Sequence, residues 1–410
     1  LGLTYDDAIT ALMRHKEAME TYVETSPRYF SYLLDDGLVA AAHCLDQAFG
    51  ISFSSGTMFN PPKSKAVKVS LTESVEVPIG KVSVPSLGEY ATVNLYEDYD
   101  PQRPHLGRVF AIKAYVRRMD QPHITKFLDS VTARLDSHSI YRHRAVELTS
   151  GGALDFVDTS KYVDPNRIVF NKPIQDAIDR FVLGPLRHRD RLIERGISQK
   201  RTTLAWGPFG TGKSTLGMIS ARTAVETGHT FVQGGPAVDM TELMRVGHLY
   251  GPSVVFVEDI DNVANVSDAD QVSALLEAFD GITAKGADVK LLMTTNYKDR
   301  IHPGMFRPGR IDNWLFIGPS DRDKMERLIR VNISAAELAG DVDFDALWNV
   351  IEGFTPAYIH EVLNKAIIGA VISSASNQIT VTTDDLLAAA EVVKAQWILQ
   401  QEAVEPPKPP

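Results

Sequence analysis

The sequence predicts an α/β fold: a doubly wound, parallel five-stranded sheet, an all-helical domain after it, and a separate α+β domain before it. Three observations predict it. Runs that are apolar almost throughout recur at residues 202–206, 230–233, 253–257, 289–295 and 314–317, with helical stretches between them. Strands without a polar face are those covered on both sides, as in parallel sheets. The first run leads straight into a glycine-rich loop, residues 207–214, that opens a helix. After about Ser320 only helical periodicity remains. The expected boundaries are 1–155 for the α+β domain, 156–319 for the α/β domain and 320–398 for the helical domain. Residues 399–410, ending Pro-Pro-Lys-Pro-Pro, read as a disordered or extended tail.

Each element follows in order. Thr4 and Asp7 have the spacing of a capping box, and Ile9, Leu12, Met13, Met19 and Val23 follow at helical intervals. A second helix is expected over 29–49, with Phe30, Leu33, Leu34, Ala41 and Leu45 on one face. From about Ala66 the period changes to two. Val67, Val69 and Leu71 alternate with Lys68, Ser70 and Thr72; Val75, Val77 and Ile79 continue, as do Ala91, Val93 and Leu95. Residues 109–116 are apolar on both faces apart from Lys113. With Gly and Pro between the runs, this is a strand meander. Ile124, Phe127, Leu128, Val131 and Leu135 then form one helical stripe. No catalytic constellation is visible in residues 1–155.

Composition narrows the function. The chain has 410 residues, enough for two or three domains, and is 44% hydrophobic and 23% charged. A net charge of −10 gives no bulk attraction to nucleic acid or to an anionic membrane. The single cysteine, Cys44, can form no internal disulfide, which fits a reducing, cytoplasmic setting. No signal peptide or membrane span is expected; the most apolar candidate, 38–51, is short and broken by His43 and Asp46. The numbering starts at Leu1 rather than Met, which leaves room for an upstream segment.

The chemistry centres on Gly207-Pro208-Phe209-Gly210-Thr211-Gly212-Lys213-Ser214, with Thr215 following. It satisfies G-x-x-x-x-G-K-[ST] between an apolar strand and a helix, the context that gives the motif its meaning. Glycines let backbone N–H groups converge on phosphate oxygens, and the helix amino terminus adds partial positive charge. Lys213 is placed to reach the β- and γ-phosphates of ATP, and Ser214 to hold Mg²⁺. A second constellation is VVFVEDID, residues 254–261, where four apolar residues run into Glu258 and Asp259. Ligands of such sheets bind beyond the carboxyl ends of strands, where these acids stand.

Taken with Gly196-Ile197, LLEAFDGI (275–282), TTN (294–296) and FRPGRID (306–312) in this order, the sequence resembles the AAA+ ATPases over about 155–390. The resemblance implies a ring-forming ATP hydrolase that uses ATP and Mg²⁺. Family position puts Glu258 at the metal-binding acid and Asp259 at the acid that orients the attacking water. Assigning them by residue type instead would need a one-residue slip of the strand, which turns every side chain to the other face. Asp261 fits either the family's third acid or a solvated or capping residue. Asn296 matches the sensor residue, whose amide can bond the attacking water or the γ-phosphate. Arg307 and Arg310 match the arginines that act on a neighbouring subunit's nucleotide. Residues 353–357 match the start of the lid helix, with no sensor arginine; Pro356 and Ala357 are weak candidates for nucleotide contact, and adenine is expected near 168–170.

The reversed Glu–Asp order resembles the subgroup of the mitochondrial Rieske iron–sulfur protein translocase (Bcs-type). So does the region 233–253, which is about ten residues shorter than in threading unfoldases and leaves Gly234-Gly235-Pro236-Ala237-Val238 as a central loop with no aromatic grip. Leu249-Tyr250-Gly251 has the chemistry of a threading loop but abuts the third strand, and reads as the turn into it. Basic clusters at 117–118, 142–144 and 187–189 read as solvated faces or ring contacts. The function that follows is remodelling or translocation of an unknown protein by a homo-oligomeric ring, hexameric by family default with seven-fold rings also occurring, a chaperone-like role. A nucleic-acid motor and an ATP-gated scaffold with little turnover are the alternatives.

Overall fold

The structure is a computed structural model that describes residues 4–51, 63–161, 167–235, 238–263, 288–301, 303–306, 310–374 and 379–404. Its contacts define two compact units that are interleaved in sequence. One comprises Leu1–Val146, Asp155–Val157 and Arg245–Gly251; the other comprises Glu147–Leu154, Asp158–Met244 and Pro252–Pro410.

The amino-terminal unit opens with a helix, Tyr5–Glu20, whose capping box forms as read: the Asp7 N–H donates to the Thr4 hydroxyl and the Thr4 N–H to the Asp7 carboxylate, each at 3.2 Å. Strands β1 (Tyr22–Glu24) and β2 (Arg28–Phe30) follow, then a helix, Leu34–Phe49. The helix expected over 29–49 therefore starts five residues late. Tyr29 and Phe30 fit a helical stripe, but their backbone pairs antiparallel with Ala111 and Phe110 instead. The meander gives β3 (Ser64–Lys68), β4 (Ser74–Pro78), β5 (Gly80–Ser83), β6 (Thr92–Tyr99) and β7 (Arg108–Arg117). β3 and β4 form a two-stranded sheet of their own; the others build a five-stranded sheet ordered β1-β7-β6-β5, with β2 also on β7. Phe110, Ile112, Ala114, Val116, Val93 and Leu95 are buried from this sheet, as are Ile124, Phe127, Val131 and Leu135 from the helix Gln121–His138. The helix Leu34–Phe49 comes closest at Gly37, where a Cβ would lie 2.0 Å from the Phe110 ring.

The larger sheet is built from β8 (Ala145–Leu148), β9 (Leu154–Phe156), β10 (Arg201–Trp206), β11 (Thr230–Gly234), β12 (Ser253–Val257), β13 (Val289–Thr295) and β14 (Asn313–Phe316). The sheet order is β14-β10-β13-β12-β11-β8-β9, so it has seven strands and not the five expected. The five expected strands lie together and run parallel. The additions are the short strands β8 and β9, whose connection is closed by the Thr149 N–H donating to the Ala153 carbonyl at 2.9 Å. They sit at the end of the meander, and their few residues carry too little alternation to be assigned to the next sheet. Every residue of β12 and β13 is buried, which is why neither shows a polar face in sequence.

After β14 come the helices Arg322–Asn332, Phe344–Ile351, Pro356–Ser373 and Thr383–Val404. They share a core that includes Leu328, Ile329, Leu347, Ile351, Val362 and Val393. This core is what the helical periodicity after Ser320 encodes. The stretch 275–282, Pro236 and Ala237 of the central-loop candidate, and Arg307 lie outside the described residues.

Candidate nucleotide site

The site is built where β10, β12 and β13 end. β10 passes into the loop 207–212, and the helix Lys213–Glu226 follows. Two loop glycines are dictated by space and backbone. Gly207 has φ +153° and a Cβ there would lie 2.1 Å from the Ile317 carbonyl oxygen; Gly210 has φ +72° and a Cβ would lie 2.7 Å from the Ala357 Cβ. Lys213 is only 7% exposed, and its ammonium donates to the carbonyls of Gly207 (2.8 Å) and Pro208 (2.6 Å). Burial holds its pKa below the ordinary lysine value, while Asp259, Asp261 and Glu258 pull the other way. The Ser214 hydroxyl donates to the Glu258 carboxylate. Thr211 ties the loop, its hydroxyl donating to Pro208 O at 2.9 Å. Phe209, at the loop's exposed tip, meets Tyr297 edge-on at 5.9 Å.

β12 delivers Glu258 and Asp259. Asp259 has φ +47°, an uncommon region for a residue with a side chain, and its N–H donates to the Thr294 hydroxyl at 3.1 Å. Its carboxylate accepts from the Asn296 amide at 2.8 Å. Burial, then the charges of Asp261 and Glu258, raise the Asp259 pKa; Lys213 and the Asn296 bond oppose the rise. Asp261 is buried and accepts from the Thr295 hydroxyl at 2.6 Å, so it ties β12's end to β13 and is not a solvated residue.

Lys213, Ser214, Glu258, Asp259 and Asn296 line a cavity of about 340 Å³ that also includes Phe209, Thr215, Thr294 and, from the helix Pro356–Ser373, Pro356, Ala357 and His360. The Ala357 N–H donates to Gly210 O at 3.1 Å, which fixes this helix on the loop. The structure thus brings together Gly210, Gly212, Lys213, Ser214, Thr215, Glu258, Asp259 and Asn296. It places Arg310 elsewhere: half-buried, its guanidinium donating to Gly304 O at 2.8 Å. Phe170, from the segment where adenine was expected, is buried behind Gly212 and not in the cavity wall.

The sequence reading did not single out His360, and it took in Thr294 only as part of TTN. Thr294 stands two residues before Asn296 in TTN. His360 lies one turn beyond Pro356, and that i, i+4 spacing is the signal that could have found it. Burial, and then Arg167, lower its pKa. A larger cavity, about 760 Å³, lies at the amino ends of β10 and β14. Its charges are mostly spent within the chain: Asp176 on Lys172, Arg187 on Asp179, Asp312 on the Thr202 N–H. Size does not make it the site, because it has neither a glycine-rich loop nor a strand's carboxyl end.

The basic clusters are largely engaged too: Arg117 with Asp120 at 2.7 Å, Arg142 over the Tyr32 ring at 4.9 Å, Arg189 with Asp288 at 2.5 Å. Among the described residues no helix is long and apolar enough to cross a membrane.

Comparison with known proteins agrees with this geometry. Residues 203–319 match the ATPase family associated with various cellular activities (AAA), which supports an ATP-hydrolysing domain over those residues. The chain is 27% identical over 219 residues to Protein SAV of Sulfolobus acidocaldarius, covering 49% of this chain and 28% of that protein. It is 28% identical over 205 residues to the Cell division cycle protein 48 homolog of Archaeoglobus fulgidus, covering 46% and 27%. It is 29% identical over 247 residues to the Proteasome-activating nucleotidase of Aeropyrum pernix, covering 54% and 58%. The chain therefore spans less than two thirds of each of these relatives.

Proposed function

We propose that the chain assembles as a ring of identical copies and couples ATP hydrolysis at this site to remodelling or moving a protein. One observation carries the reading: three preformed elements, the buried Lys213, the Ser214–Glu258 pair and the Asp259–Asn296 pair, converge on one cavity at the carboxyl ends of parallel strands.

Lys213 exchanges its loop carbonyls for the β- and γ-phosphate oxygens. Ser214 and Glu258 offer the hard oxygen donors that suit Mg²⁺. When bound, Mg²⁺ neutralises phosphate charge. Asp259, oriented by Asn296, positions a water on the γ-phosphorus and accepts its proton as the new P–O bond forms and the bond to the β-phosphate oxygen breaks. Its raised pKa suits a proton acceptor. Arg307 and Arg310 of the adjacent copy then stabilise the charge that develops. The Ser214–Glu258 contact supports assigning the acids by position and not by residue type.

Two observations favour a protein as substrate. The names of two relatives refer to the cell division cycle and to proteasome activation. The net charge of −10, with basic clusters engaged internally, disfavours nucleic acid. Tyr250 is fully buried and cannot grip a threaded chain, which supports the finer likeness to the Rieske-protein translocase subgroup and a folded cargo. Rings of six or seven copies fit this reading. Assemblies doped with an Arg307→Glu, Arg310→Glu copy test it: turnover should fall more steeply than the fraction of wild-type copies. Full ATPase activity in an isolated monomer would overturn it.

A further inference from the structure

Two segments of the chain leave the unit to which their neighbours in sequence belong. Glu147–Leu154 joins the second unit, and Arg245–Gly251, although it lies between β11 and β12, joins the amino-terminal one. The second segment is the last turn and a half of the helix Met240–Leu249 and the turn beyond it. It is held by specific bonds. The Arg245 guanidinium donates to the carbonyls of Leu106 (2.8 Å) and Arg108 (3.1 Å), and its Cδ would lie 2.7 Å from a Cβ on Gly107, whose φ is +66°. The Tyr250 hydroxyl accepts from the Leu33 N–H at 3.1 Å and donates to the Asp36 carboxylate. Leu33 is the amino-terminal cap of the helix Leu34–Phe49 and has no side-chain cap of its own, so Tyr250 supplies a bond that the helix start lacks. The Tyr250 ring is enclosed by Tyr32 at 6.0 Å and Tyr141 at 5.6 Å, both edge-on.

Asp36 is the knot. It is 1% exposed and also accepts from the Ser139 hydroxyl and from the Ile140 N–H at 3.0 Å. Ser139 and Ile140 stand a few residues before β8, the root of one crossing segment; Tyr250 stands three residues before β12, the root of the other. Three chain segments thus meet on one buried carboxylate, and two of them lead into strands of the seven-stranded sheet. β12 is five residues, all buried and paired on both edges, and its far end carries Glu258 and Asp259. A rod so held transmits a displacement better than it absorbs one.

We propose that Tyr250 and Arg245 are positioning residues through which nucleotide at Glu258 and Asp259, at the far end of β12, alters the amino-terminal unit. This rests on the ATPase reading above and adds the route by which the nucleotide state reaches the amino-terminal unit. The two roles predict different things. A merely structural Tyr250 would change stability; a transmitting one changes what nucleotide does at a distance.

Hydrogen exchange of the full chain, with and without saturating Mg²⁺ and a non-hydrolysable ATP analogue, separates them. In the wild type, exchange at 30–37 and 139–142 should change by roughly twofold or more on nucleotide addition, together with protection at 207–215. Tyr250→Phe keeps the ring and removes the hydroxyl. It should retain protection at 207–215 and unchanged analogue affinity, yet lose the response at 30–37. If Tyr250→Phe does not fold, Arg245→Gln is read in the same way at 104–109. Protection at 207–215 with no response at 30–37 in the wild type overturns this inference alone, as does a variant that responds like the wild type. No protection at 207–215 in the wild type overturns the ATP reading itself.

Discussion

The two ends of the seven-stranded sheet each bury a lysine, and the chain treats them in opposite ways. Lys290, near the amino ends of the strands, is 6% exposed and donates to the Asp288 carboxylate at 2.8 Å. Arg189 completes that pair with Asp288 at 2.5 Å, and the ring of His229 lies 3.5 Å from the ammonium. Lys213, at the carboxyl ends, is equally buried but donates to two neutral carbonyls. The carboxylates follow suit. Asp288 is held below its ordinary pKa: burial pushes it up, but Lys290 and Arg189 together outweigh that. Asp259 is raised, because burial and two neighbouring acids outweigh Lys213. One end is electrostatically finished and the other is left with a cation and acids that do not satisfy each other. A buried charge without a full partner is costly, so a fold keeps one where a ligand will complete it.

This contrast can be broken by substitution, and the largest effect is expected at Asp259. Asp259→Asn keeps the shape but removes the proton acceptor, so turnover should fall on the order of 10²- to 10⁴-fold while ATP still binds. Steady-state phosphate release and nucleotide titration measure the two separately; wild-type turnover no higher than the variant's would leave only the ATP-gated scaffold. Next come the two lysines. Lys213→Met should weaken ATP affinity by roughly 10- to 100-fold, the worth of lost charge-assisted bonds, with little change in melting temperature. Lys290→Met should do the reverse, costing roughly 2 kcal/mol of stability and leaving affinity intact. That figure is below the usual loss for a broken buried pair because Asp288 keeps Arg189. If Lys290→Met changed affinity as much as Lys213→Met, the two ends would not be distinct.

The unfinished end was the legible one. Its strands are buried on both faces, so their apolar runs announce both position and depth, and the glycine loop, Glu258, Asp259 and Asn296 follow from spacing along the chain. What the sequence hid has a common cause, long-range closure. β8 and β9 are four and three residues long and acquire their place only by pairing. β1 and β2 sit inside a stretch whose residues fit a helix as well as a strand. His360 enters the cavity because Ala357 docks on Gly210, and Asp261 binds Thr295 from another strand. The paired end is equally hidden, since Asp288, Lys290, His229 and Arg189 are scattered across the sequence and carry no motif. The turn reading of Tyr250 foresaw its place before β12 but not its burial against Asp36.

The smallest net effect expected is on stability as a function of pH, because a histidine and an aspartate pull it in opposite directions, and it sharpens the contrast from the finished end. Burial, with Lys290 next in weight, pushes His229 down to about 4 in the folded state, while an unfolded histidine titrates near 6.5. Between those values the unfolded chain binds a proton that the folded chain refuses. Stability contributed by the neutral ring is therefore complete above 6.5 and lost as pH falls toward about 4, at up to roughly 1.4 kcal/mol per pH unit. Asp36, in the amino-terminal unit, has the opposite sign. Burial raises it from an ordinary carboxyl value to about 6, so the folded state takes up a proton first and stability is lost as pH rises to about 6. Its bonds to Ser139, Ile140 and Tyr250 limit the rise. Thermal melts from pH 4 to 7 of the wild type, His229→Gln and Asp36→Asn resolve the two. His229→Gln should flatten the acid-side loss, and Asp36→Asn should steepen it by removing the opposing slope. A wild-type profile unchanged by His229→Gln would mean that the amino ends of the strands are open to water, and the difference between the two ends would lose its physical basis.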